Sequence, residues 1–278
     1  MISKKLVLTT FSVCIVFSIL LAGIAYLTLR DIKKDMEIQK VADSIVKTAF
    51  KINIDEREYR LNPYKKNKIK EHLKELKKLV SSCEEMCDLK KINFSKLHGS
   101  IDLYEKLFEQ LKFYHETNEK IIEELRKLER IIQGTIFSKP NPERGTIALL
   151  EIRLQEKSYM LFREKPLLFH EKPYSEKRKI AVRNLLMWAE GDKRINELMD
   201  KDSELFEEIV SNYEQMDKTL ELMRKEVRKI EGVIHCICKA TQQKIDFAYK
   251  KLQILLTTLL VLLILGGIEL IVFYTKNI

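Results

Sequence analysis

A chain of 278 residues with 33% charged and 45% apolar side chains, but only 8 Gly and 5 Pro, has too few chain breakers for a β-rich fold and favours long helices. Its formal net charge of +9 does not make it a nucleic-acid binder. Lys and Arg alternate with Glu and Asp, as from Glu119 to Arg130, which is the pattern of a solvated helix face and not of a basic stripe with aromatic platforms. The five histidines show no HExxH or CxxCH spacing, and no Gly-rich phosphate loop or G-x-S-x-G elbow occurs, so no enzyme class has a motif behind it and no cofactor is expected.

Leu6 to Leu29 contains no charged residue, and about 20 apolar residues suffice to cross a bilayer. Lys4 and Lys5 resemble the start of a signal peptide, but the apolar run exceeds a signal core, so it is expected to remain as a first span. Leu252 to Tyr274, interrupted only by Gln253 and Glu269, reads as a second. Lysines at both ends favour cytoplasmic termini (1–5 and 275–278), a two-pass inner (cytoplasmic) membrane location and an extracytoplasmic domain over 30–251. Glu269 sits close enough to the cytoplasmic end of its span to snorkel or to meet a partner helix.

Between the spans, prolines mark helix ends because they remove a backbone donor and clash with the preceding turn. Pro63, the pair Pro140 and Pro142, and the pair Pro166 and Pro173, with weaker breaks at Asn93 to Gly99 and Gly191-Asp192, predict six helices. Their ranges are Arg30–Leu61, Tyr64–Leu89, Phe94–Phe137, Thr146–Arg163, Tyr174–Glu190 and Lys193–Lys251. The second carries Ile69, Leu73, Leu76, Val80, Cys83 and Cys87 on one face. The third carries Tyr104, Leu107, Leu111, Tyr114, Ile121, Leu125, Leu128 and Ile132, and the last has an unbroken heptad seam from Ile209 to Ile237. Helix three is about as long as helices two and five end to end, so the expected fold is all-α, two stacked four-helix bundles flanked by two transmembrane helices. The proximal bundle takes 30–93 and the distal 138–192, each with part of 94–137 and 193–251. Helix one has a seam from Val41 to Tyr59 beyond the needs of one bundle, which predicts a homodimer.

The segment Ile52 to Leu61 repeats at Ile152 to Leu161, with Ile, Glu, Tyr and Leu identical, and a Pro-Tyr pair follows each copy. Glu56 and Glu156 fall on their apolar seams, where a carboxylate needs a partner cation. Arg57, Arg60, Arg153 and Lys157 are the near candidates. Such a cluster is either a structural ion pair or an anion site in which an arginine fork grips a carboxylate. Cys83, Cys87, Cys236 and Cys238 stand outside the first span, with Cys87 and Cys236 at nearly one height. They read as small buried hydrophobes, as a disulfide, or as candidate metal ligands, although all four cannot converge without distortion.

Two spans around some 220 helical residues, with a repeated Glu-[Arg/Lys]-x-Tyr segment, resemble the helical bimodular sensor domain of bacterial chemoreceptors and sensor kinases. The resemblance covers Arg30 to Lys251. It implies a receptor that binds a small organic acid within its bundles and relays helix displacement across the membrane. The family pattern has arginine before the Glu-Lys pair, which Arg153 matches and Asn53 does not. Arg153, Glu156, Lys157 and Tyr159 are then the distal ligand residues. Asn53, Glu56, Arg57, Tyr59 and Arg60 are the proximal ones, with the distal set expected to bind more tightly. Only four residues follow the second span, so output would belong to a signalling partner or to a longer receptor. The competing reading is a helical stalk that scaffolds a membrane complex.

Overall fold

In a computed structural model, which describes residues 4–62, 68–87, 92–162 and 173–277, the chain forms six α-helices, with no strand among those residues. They are α1 (Lys4–Leu61), α2 (Ile69–Met86), α3 (Phe94–Phe137), α4 (Pro142–Phe162), α5 (Tyr174–Trp188) and α6 (Lys193–Asn277). The predicted helix one and first span are a single helix, as are helix six and the second span. The expected breaks at Pro63 and Pro166, and the ends at Leu89 and Arg163, lie outside the described residues.

Helix α4 begins four residues earlier than the sequence suggested. Pro142 is its first residue, a position where the missing N–H would be unsatisfied anyway and the fixed φ is already helical. Asn141, at φ 54°, makes the turn before it. The start of α6 is set by Asp192, whose Oδ1 accepts the Ile195 N–H at 2.9 Å while Oδ2 meets Lys139 Nζ at 2.6 Å. The Lys139 contact, with the helix-start amides, holds the Asp192 carboxyl below its usual range. Asn93 Oδ1 accepts the Lys96 N–H at 3.0 Å at the start of α3.

The helices divide into two compact units, residues 1–105 with 224–278 and residues 106–223. Unit 1 draws on α1, α2, the first part of α3 and the last part of α6. Each buries an apolar stripe, including Ile45 and Ile52, Leu73 and Leu76, Leu97 and Ile101, and Ile234 and Ile237. Unit 2 draws on the rest of α3 and α6 with α4 and α5. Ile132 and Ile136, Leu149 and Ile152, Ala181 and Leu185, and Ile195 and Met199 form one core there. A second cluster in the unit gathers Ile121, Leu125, Tyr159, Tyr174, Phe206 and Ile209.

Two helices are long and apolar enough to cross a membrane, and their apolar windows are only 17% and 6% buried. Side chains such as Val16, Ile19, Leu20, Leu260, Leu263 and Ile264 are open, so these stretches are not core helices of a soluble domain.

Candidate functional site

The internal repeat is matched in burial. Ile52, Glu56 and Tyr59 in α1, and Ile152, Glu156 and Tyr159 in α4, are all at least 96% buried. The carboxylates nevertheless meet different partners. Glu56 accepts the Tyr104 hydroxyl from α3 at Oε2 (2.9 Å), and Oε1 faces Arg60 Nε at 3.5 Å. Burial, reinforced by the Glu56 charge, holds the Tyr104 phenol well above its usual range.

Glu156 departs from the sequence expectation. Its partner is neither Arg153 nor Lys157 but Arg178 of α5, whose Nε donates to Oε1 at 2.6 Å. The same guanidinium reaches Asp202 of α6 through Nη2, touches the Ser203 hydroxyl at 3.5 Å and lies 4.4 Å from the Phe206 ring centroid. Burial, then the neighbouring Asp202 charge, pushes the Glu156 carboxyl up to about 8, and burial raises Asp202 as well.

Arg153 instead places Nε 3.2 Å from Glu129 Oε2, an ion pair off the hydrogen-bond direction that leaves this N–H without an acceptor. Lys157 is exposed. Tyr159 is a core aromatic, edge-on to Phe206 with centroids 5.5 Å apart. The four residues expected to form one distal site therefore serve separate packing and charge roles in unit 2, and Arg178 and Asp202 were missed. The signal for Arg178 was faint, since it stands one turn into α5 between two other basic residues, Lys177 and Lys179.

The proximal residues do come together. Asn53, Glu56, Arg57 and Arg60 line one side of a groove of about 340 Å³ in unit 1, and Arg224, Val227, Arg228 and Glu231 of α6 line the other. Both sets are spaced i, i+3, i+4, i+7, so each is a single helix face. Four guanidiniums thus face two carboxylates, one of which already takes Tyr104 and Arg60. Among the described residues, Arg57, Arg224 and Arg228 have no ion-pair partner, and Tyr59 is buried and does not line the groove. The arginines of α6 were overlooked because the heptad reading followed only the apolar seam.

The cysteines do not converge as a set. Cys83 is buried with its Sγ 3.9 Å from that of Cys87, Cys238 is half-buried, and Cys236 is exposed. The Cys83–Cys87 contact raises the first thiol and lowers the second. All four are free thiols, and no group of three or more His, Cys, Asp or Glu among the described residues is arranged to hold a metal ion. No family model, curated protein or solved structure matches this chain, so its functional reading rests on its own residues.

Proposed function

We propose that this chain is a two-pass membrane receptor, similar to a helical bimodular sensor, that takes a small anion into the arginine groove of unit 1. The observation that carries this reading is the pairing of two helix faces with a surplus of arginine. Guanidiniums crowded on one face repel one another, and an anion relieves that repulsion while accepting paired N–H bonds. A small organic acid is the preferred class.

The rest of the reading follows from this placement. Residues 30–251 form two helical bundles outside the cytoplasm, the termini are cytoplasmic, and the receptor works as a homodimer with a signalling partner. Because α1 and α6 both line the groove and both continue into apolar spans, ligand that draws their faces together favours one arrangement of the two spans.

Calorimetry on the full chain in lipid nanodiscs, against organic acids and inorganic phosphate and sulfate, tests the reading. Arg57→Ala and Arg228→Ala should each weaken binding by about 1.5–3 kcal/mol, the range for a hydrogen bond to a charged group. Arg153→Ala should leave it unchanged. Binding that survives the first two substitutions and falls with the third moves the site to unit 2. If no anion binds, the helical stalk becomes the better account.

A further inference from the structure

The core of unit 2 holds two carboxylates on one guanidinium, an arrangement that the anion groove does not use. Glu156, Asp202 and Arg178 are each at least 96% buried, and they come from α4, α6 and α5. With both acids ionised, the cluster carries one uncompensated negative charge in a low-dielectric interior, which is costly. A further charge that acts on both acids is Glu129 of α3, negative in its turn and tied to Arg153 of α4. Thus every helix of the unit presents a group to the cluster, and among the described residues Arg178 is the cation in contact with the two acids. A single proton shared by Glu156 and Asp202 neutralises the triad and turns their mutual repulsion into a carboxyl-to-carboxylate hydrogen bond.

We propose that the Glu156–Arg178–Asp202 triad is a one-proton switch that couples pH to the hold of α5 on α4 and α6. The switch goes beyond the anion reading and stands whether or not the groove binds a ligand. At neutral pH the proton is in place and α5 is clamped through Arg178. In alkaline solution the proton leaves, the two carboxylates repel, and the unit loosens. The direction follows from the Glu156 carboxyl being raised from 4.5 to about 8, so that the folded protein keeps a proton that the unfolded chain gives up. The stabilisation is full below 4.5 and falls progressively until the pH passes about 8.

Trp188, the single tryptophan, closes α5 with its Nε1 3.2 Å from the Asn141 carbonyl, and so reports on this unit. Denaturant unfolding of the full chain in detergent micelles, followed by Trp188 emission, should show a midpoint that falls from pH 5 to pH 8 and then levels. Glu156→Gln and Asp202→Asn should each remove that slope, because either leaves one carboxylate for one guanidinium. A level wild-type midpoint overturns the proposal, as does a slope that survives both substitutions. Should both variants fail to fold, infrared spectra of the wild-type chain decide: the carbonyl stretch of a buried protonated carboxylic acid, present at pH 6 and lost by pH 9, supports the switch, and its absence at pH 6 overturns it.

Discussion

At the residue scale, the two repeated glutamates show how one sequence pattern acquires two chemistries. Glu56 needs only a phenol and a half-open arginine, and its burial is tolerated because Tyr104 donates directly to it. Tyr104→Phe keeps the shape and removes the donor. It should cost about 1–3 kcal/mol in chemical unfolding, the penalty for a buried acceptor left unsatisfied. Among the described residues Glu156 takes its positive charge from Arg178, and Asp202 depends on it too. Arg178→Met should therefore cost about 3–5 kcal/mol, more than most core truncations of similar volume, because it strands buried charge. The same unfolding measurement checks it, and a loss under about 1 kcal/mol would mean that the triad does not hold α5. Exposed pairs such as Lys193 with Glu197 should contribute little by comparison.

At the element scale, the helices α4 and α5 form a close hairpin because Gly145 lets the Trp188 ring approach. A Cβ built at Gly145 would stand 2.6–2.8 Å from three ring carbons. Gly145→Ala should destabilise unit 2 by about 1–3 kcal/mol through overpacking and shift the Trp188 emission. An unchanged spectrum and midpoint would show that the ring swings aside at no cost. The long helices carry a different lesson. In α6 the heptad seam holds at Ile209, Met223, Ile230, Ile234 and Ile237, yet Met216, Leu220 and Val227 are only half-buried while Thr219 and Glu226 are buried. A straight helix drifts against a strict seven-residue repeat, which brings neighbouring polar positions inward. Glu226 then takes Lys229 at 2.6 Å. In α3 the position that the apolar spacing skipped is Asn118, 1% exposed, whose Oδ1 accepts Asn212 Nδ2 at 2.9 Å.

At the scale of the whole molecule, two expectations remain open to direct measurement. Analytical ultracentrifugation of the detergent-solubilised chain should give a dimer, since Val46, Phe50 and Ile54 form an open apolar row on α1 outside the span. A monomer at all concentrations would remove the homodimer from the receptor reading. Mass mapping after preparation from an oxidising compartment should find Cys83 and Cys87 unlinked to each other. Side chains four apart on a helix hold their Cβ atoms about 5–6 Å apart, against the 3.5–4.5 Å of a disulfide. The sequence by itself determined the all-helical class, the six helices, the two apolar stretches and the repeated buried glutamates. All of these depend on local breakers, run length and periodicity, which a chain carries in its order alone. Which cation answers each glutamate, and which arginines share a groove, only the tertiary structure decided. Arg178 stands 22 residues from Glu156, and Arg224 and Arg228 stand far along the chain from Arg57. Charge pairing across helices depends on which faces the packing turns toward one another, and long, flexible Arg side chains leave no periodic trace of that choice.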